Sequence, residues 1–163
     1  VITIISPALF SSATENWATP QDIFDRMNHV FNFTLDPCAD AENAKCTNFF
    51  TKYDDGLSKD WGGHRVFCNP PYGREATGKW IKKCYEESRK PGTIVVALIP
   101  ARTDTKWFHE YIFKTSAEVY FVKGRLKFGG SDNSAPFPSM IVIFGFHWMY
   151  LKPEEIKHVN CSH

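Results

Sequence analysis

The sequence predicts an α/β fold: a doubly wound, mostly parallel sheet with helices on both faces and an antiparallel hairpin at one edge. Three observations lead there. Short apolar segments alternate with stretches of helical periodicity along most of the chain. The run Thr93 to Ile99 is apolar and β-branched without alternation, the pattern of a strand buried on both faces. Its 163 residues, 43% hydrophobic and 23% charged, match ordinary globular usage and suffice for one domain, 1–163, built around a core.

Val1 to Phe10 is apolar and interrupted at Pro7, so 1–15 reads as an arm, and 147–163 reads as a tail. Thr19-Pro20-Gln21-Asp22 reads as a helix start. Thr19 can cap, Pro20 suits the first helical position, and Asp22 faces the free amides. Ile23, Phe24, Met27, Val30 and Phe31 then form a helical stripe. Phe33-Thr34-Leu35 follows as a short buried strand that stops at Asp36-Pro37, because proline donates nothing to a ladder. A polar loop with a short helix, Asp40 to Lys45, leads to Asn48-Phe49-Phe50. Arg65 to Cys68 is a third strand, ended by Asn69-Pro70-Pro71-Tyr72-Gly73, which no helix or strand interior tolerates. Trp80, Ile81, Cys84 and Tyr85 recur at helical spacing until Pro91-Gly92. Beyond the Thr93 to Ile99 strand, Trp107, Phe108, Tyr111 and Ile112 mark another helix. Val119 to Phe128 and Met140 to Phe146 close the chain as two strands joined by a loop rich in Gly, Ser and Pro.

Lys and Arg number 19 against 18 Asp and Glu, a net charge of +1, so no overall field draws this chain onto a polyanion. Contact with nucleic acid rests on a local patch. The five cysteines are an odd number without C-x-x-C spacing. No segment reads as a secretory leader or as an apolar span of about 20 residues. A reduced, cytoplasmic protein with no membrane partner is expected. The histidines lack ligand spacing with the cysteines, so no metal is expected.

In doubly wound sheets ligands bind beyond the carboxyl ends of the strands. Asp36-Pro37-Cys38-Ala39-Asp40 and Asn69-Pro70-Pro71-Tyr72 both sit at such ends and so belong to one cleft. Pro70 and Pro71 stiffen the backbone and remove two amide donors, leaving carbonyls that the local chain does not easily satisfy. A rigid corner presenting the Asn69 side-chain oxygen, the Pro70 carbonyl and the Tyr72 ring suits a planar ligand with an amino group. Two acceptors hold the two amino hydrogens while the ring stacks on the ligand's face. Along the alternating Val119 to Phe128 strand, Lys123, Arg125 and Lys127 share one face about 6.6 Å apart, a row that suits a phosphate backbone. Arg102, Thr103 and Asp104 follow the fifth strand and face the same cleft, with Arg102 expected to meet a phosphate or to organise the loop.

At Asn69-Pro70-Pro71-Tyr72 the chain resembles amino methyltransferases that use S-adenosylmethionine. From Trp17 to Phe144 it resembles the phage-type DNA N6-adenine methyltransferases, the phage Dam family. The blocks that carry the resemblance are W-A-T-P-Q, F-T-L-D-P-C-A-D, E-N-A-K-C, D-D-G-L, N-P-P-Y-G, P-A-R-T-D-T-K-W-F, G-R-L-K-F-G-G and S-A-P-F-P-S, in that order. The resemblance implies a Rossmann-like methyltransferase sheet, S-adenosylmethionine as cofactor, and DNA as partner. It also implies methyl transfer to adenine N6 by direct attack of a flipped-out base. Asn69, Pro70, Pro71 and Tyr72 are implied as the catalytic corner: Asn69 and the Pro70 carbonyl accept from the N6 amino group and Tyr72 stacks on the ring. Asp36, Pro37, Cys38 and Ala39 are implied to line the methionine end of the cofactor, although no glycine stands where the usual loop is glycine-rich. Thr19 and Pro20 resemble the upstream block that meets the cofactor carboxylate. Asp54 or Asp55 is implied to accept from the cofactor's adenine amino group, with Asp55 favoured because Gly56-Leu57 follow it. Asp40 and Glu42 are candidates for the ribose hydroxyls. Phe128, or failing it Phe137, sits where related enzymes place a second aromatic against the flipped base.

Two rival readings stand beside this one. N-P-P-Y also occurs in methyltransferases acting on glutamine side chains or on ribosomal RNA adenine, and the glycine-free cofactor loop is the argument for a DNA-binding relative that has lost catalysis. If phage or prophage encoded, the expected place is the bacterial host cytoplasm. Nothing in the sequence sets the DNA site or an oligomeric state.

Overall fold

Helix α1 (Gln21–Phe31) starts behind Pro20, whose φ of −56° and ψ of 136° lead an extended chain into the first turn. The computed structural model describes residues 17–145, so the arm 1–15 and the tail 147–163 lie outside the described residues. Ile23, Phe24, Met27 and Phe31 are buried along α1, as their spacing predicts. Thr19 does not cap the helix. Pro20 occupies the cap position, α1 has no side-chain cap, and the Thr19 hydroxyl is engaged by Asn69 instead. Asn32, at φ 49°, ends the helix while Asn28 accepts from the amides of Asn32 and Phe33.

Four strands form one sheet: β1 (Arg65–Cys68), β2 (Ile94–Pro100), β3 (Glu118–Phe121) and β4 (Ser139–Phe144), in spatial order β1-β2-β4-β3. Helix α2 (Ala76–Ser88) carries the chain from β1 to its parallel neighbour β2, with Val66 opposite Val95. The pairings β2 with β4 and β4 with β3 are antiparallel. The expectation of a mostly parallel sheet is therefore overturned, whereas the antiparallel hairpin expected at one edge is present as β3 and β4, with β3 outermost and β4 joining it to β2. Every residue of β4 is buried, and an unbroken apolar run reports burial on both faces but not direction. Parallel pairing continues past β1 only as the single bridges Leu35 to Val66 and Asp36 to Phe49.

Two further expectations fail locally. Asp40 to Lys45 forms a turn, because the Asp40 carboxylate accepts from the amides of Glu42 and Asn43 and so competes with helical bonding. The strand expected to reach Phe128 stops at Phe121; Gly124, at φ 80°, turns the chain out of the sheet. Lys123, Arg125 and Lys127 therefore share no strand face, and all three are exposed on the loop before β4. The segment around Trp107 is helical only in part: α3 (Lys106–Phe108), capped by the Thr105 hydroxyl, passes into a π-turn over His109–Phe113.

Phe24 of α1 packs edge-on against Phe67 at 5.1 Å between ring centroids, whereas Cys84 of α2 reaches Cys68. Successive strand residues point to opposite faces, so these helices cover the two faces of the sheet. Between them runs one apolar core that includes Met27, Trp61, Val66, Ile81, Leu98 and Val142. The chain leaves Asp36 and Cys68 at the same edge of this layered body, where the cavity lies.

Candidate active site

The segments beyond Asp36 and beyond Cys68 open into one cavity of about 580 Å³, within the range of small-molecule sites. Of the residues singled out from the sequence, Thr19, Asp36, Pro37, Cys38, Ala39, Asp55, Asn69, Pro70 and Pro71 line it, as does Asp40. Pro20, Glu42, Asp54, Tyr72, Arg102, Phe128, Phe137 and the cations Lys123, Arg125 and Lys127 are not among its lining.

Asp36 is 4% exposed, and its two carboxylate oxygens accept from the amides of Cys38 and Lys45 at 3.4 and 3.1 Å. Burial pushes its carboxyl up to about 6, and the two amide bonds partly offset that rise. Asp54 and Asp55 separate cleanly. Asp54 is exposed and turned onto Thr51, accepting from its amide at 2.8 Å and from its hydroxyl at 2.7 Å, and these bonds hold its carboxyl below the usual range. Asp55 faces the cavity from a left-handed backbone, φ 54° and ψ 79°, a conformation that costs energy in a non-glycine residue. The Asp40 carboxylate is committed to its own turn, with Asn43 Nδ2 donating to it at 2.7 Å.

Gly56 packs directly against the Asp36 to Asp40 loop. A Cβ at Gly56 would stand 2.0 Å from the Pro37 carbonyl oxygen and 3.1 Å from the Trp80 ring, so only glycine lets the two walls meet. The Gly56 carbonyl accepts from Trp61 Nε1 at 3.0 Å, which fixes that wall to the core. Sequence reasoning used Gly56 only to choose Asp55. It gave no role to Trp17, Lys45, Tyr53 or Trp80, all of which line the cavity.

At the corner, Asn69 Nδ2 donates to the Trp17 carbonyl at 2.5 Å and to Thr19 Oγ1 at 2.8 Å. The Tyr72 hydroxyl lies 2.5 Å from Asn69 Oδ1 and 3.0 Å from the Leu98 carbonyl, with one proton to share between them. Burial holds that phenol protonated. The Pro71 carbonyl accepts from Thr77 Oγ1 at 3.2 Å, while among the described residues no donor meets the Pro70 carbonyl. Behind the corner, the Asn69 amide donates to the Cys38 thiol, which lies 3.7 Å from the Cys68 sulfur, and burial pushes both thiols up. Cys38, Cys46, Cys68 and Cys84 are all free.

The Tyr72 ring is not an open platform. Tyr72 is 5% exposed, and Phe128 and Phe137 meet it edge-on at 6.0 and 5.5 Å. Trp17 meets the same two rings at 5.6 and 5.1 Å. Arg102 is half-buried after β2, and its carbonyl accepts from Thr105 Oγ1 at 2.8 Å, so its backbone shapes the start of α3. Among the described residues no group of three or more His, Cys, Asp or Glu side chains is placed to hold a metal ion, and no helix is long and apolar enough to cross a membrane.

A family model described as DNA N-6-adenine-methyltransferase (Dam) matches residues 8–152. The chain is 31% identical over 135 residues to the DNA N-6-adenine-methyltransferase of Haemophilus phage HP1 (strain HP1c1), covering 78% of this chain and 77% of that protein. It is 30% identical over 112 residues to the DNA N-6-adenine-methyltransferase of Escherichia phage T1, covering 68% of this chain and 45% of the longer relative. Over 65 residues it is 38% identical to the "Putative methyltransferase YfdM" of Escherichia coli (strain K12), covering 36% of this chain and 71% of that protein.

Proposed function

The chain belongs to the Dam family of DNA N-6-adenine-methyltransferases, and we propose that it methylates adenine N6 in DNA at the Asn69-Pro70 corner, with S-adenosylmethionine held in the adjoining cavity. The observation that carries this reading is the pair of acceptors: Asn69 Oδ1, beside a Pro70 carbonyl that no described donor meets.

The cavity suits the cofactor by the chemistry of its lining. Asp36 offers a buried carboxylate to an ammonium group, Thr19 a hydroxyl to a carboxylate, and Asp55 an acceptor to an adenine amino group. Pro37, Cys38 and Ala39 supply the apolar and backbone wall, and Pro20 acts indirectly by setting the path of Thr19 into α1. A bound S-adenosylmethionine would supply an electrophilic methyl carbon, the broken sulfur–methyl bond leaving its electron pair on sulfur. The protein's part is to make the adenine nitrogen nucleophilic. Its lone pair is delocalised into the ring, and drawing both amino hydrogens toward Asn69 Oδ1 and the Pro70 carbonyl localises that pair. Pro71 locks the corner that presents these oxygens. The proton lost from nitrogen passes to Asn69 or to water, with no general base required. Positioning and electrostatics carry the catalysis.

In duplex DNA the target must leave the stack, at a cost of a few kcal/mol. Tyr72, with Phe128 or Phe137, offsets that cost by stacking, which requires the edge-on rings to yield the Tyr72 face as the base enters. Lys123, Arg125, Lys127 and Arg102 serve the phosphate backbone. The place of action is the cytoplasm of a bacterial host.

Asn69→Ala is the test. Transfer of labelled methyl groups to unmethylated, amplified DNA is expected to fall at least 100-fold, on the scale of losing one oriented acceptor, while S-adenosylhomocysteine binding by calorimetry stays within threefold. Activity within a few-fold of the parent would remove Asn69 from the mechanism. The same labelled assay on RNA and on protein separates the rival acceptors.

A further inference from the structure

We propose that Thr19 is a positioning residue for Asn69, a role that rests on the catalytic assignment of Asn69 and goes beyond a contact with the cofactor. An amide nitrogen carries two hydrogens. Those of Asn69 are both engaged, one by the Trp17 carbonyl and one by Thr19 Oγ1. The Trp17 carbonyl is an acceptor alone, so exchanging the amide's nitrogen and oxygen would set two oxygens against each other. That contact decides which end of the amide faces which way. Thr19 holds the second hydrogen, and so fixes the rotation of the amide plane about the bond that the first contact leaves free.

The anchor itself is firm. Thr19 is 6% exposed and precedes Pro20, whose ring restrains the backbone that enters α1. Gly129 donates its amide to the Ala18 carbonyl at 2.8 Å, which ties the same segment to the loop carrying Phe128. With both hydrogens held, Asn69 Oδ1 turns toward Tyr72, and an oxygen with two lone pairs keeps one for an incoming amino group. Without the Thr19 hydroxyl, an unpaired amide hydrogen remains in a part-buried site, and only the Trp17 and Tyr72 contacts are left to orient the carbonyl plane.

The test compares Thr19→Val, which keeps the shape and removes the hydroxyl, with Thr19→Ser, which keeps the hydroxyl. At saturating cofactor and DNA, kcat is expected to fall at least tenfold in Thr19→Val and to stay within threefold in Thr19→Ser. The Asn69 side-chain NH2 resonances in a ¹⁵N correlation spectrum, assigned by their loss in Asn69→Ala, are expected to shift and exchange faster in Thr19→Val alone. Thr19→Ala gives the same comparison should the valine variant not fold. A Thr19→Val enzyme with unchanged kcat and a raised KM for S-adenosylmethionine overturns the proposal and leaves Thr19 as a cofactor contact only. An active Asn69→Ala enzyme is a different failure, that of the catalytic corner itself.

Discussion

On one side of Asn69 the wall is polar backbone pinned by side chains: Asp36 holds the amides of Cys38 and Lys45, and Gly56 presses against Pro37. On the other side it is a cluster of aromatic rings, Trp17, Tyr72, Phe128 and Phe137, all meeting edge-on or tilted with little space between them. The polar side stands open as a cavity, and the aromatic side is closed on itself. Hydrogen bonds to backbone amides hold a concave shape without filling it, whereas aromatic surface kept from water collapses onto its neighbours until something of similar chemistry displaces them. An open cavity and a closed ring cluster are what each chemistry produces unaided.

Phe128→Ala breaks the aromatic side hardest. Phe128 is 4% exposed, and its truncation is expected to cost about 3–5 kcal/mol in urea unfolding, with S-adenosylhomocysteine affinity within twofold in whatever fraction stays folded. Loss of that affinity would show the two sides to be one unit. Gly56→Ala attacks the polar side. With a methyl group forced to within 2.0 Å of the Pro37 oxygen the wall must move, and we expect about 3 kcal/mol of destabilisation together with at least tenfold weaker S-adenosylhomocysteine binding by calorimetry. Unchanged binding would mean that the meeting of these walls does not shape the cavity.

The smallest effect sharpens the contrast through pH. Burial raises Asp36 to about 6 in the fold, above its ordinary value of 3.8, so between those values the folded chain keeps a proton that the unfolded chain has released. The ligand-free protein is therefore expected to lose at most about 3 kcal/mol as pH rises through that window and to stay level above it. Asp36→Asn is expected to flatten the curve in thermal melts from pH 4 to 7. A ligand with an ammonium group favours the ionised carboxylate, so S-adenosylhomocysteine affinity is expected to rise through about pH 6 in the parent and not in Asp36→Asn.

The rigid corner was legible in the chain because Asn-Pro-Pro-Tyr has no ordinary use inside a helix or a strand, and prolines write their backbone constraint directly into sequence. The joining of Asp36 to Ala39 with Asn69 to Pro71 in one cleft was legible for a related reason. Both segments leave strand ends, and parallel neighbours leave at the same edge. Helix α1, with Ile23, Phe24, Met27 and Phe31 inward, followed from periodicity. Lys123, Arg125 and Lys127 misled, because alternation of charged and apolar residues persists in a loop that packs Leu126 and Phe128 inward without any ladder.

By itself, then, the sequence determined which backbone is stiff, which faces are apolar and which corner lacks amide donors of its own, since these depend on each residue and its near neighbours. Only the tertiary structure decided that β4 runs antiparallel inside the sheet, that Gly56 meets Pro37, and that Thr19 and Trp17 hold the Asn69 amide. Each of these is a contact between residues far apart in the chain. An apolar run, a glycine or a threonine states what it can tolerate or donate, and the partner that uses it is chosen only when the layers close.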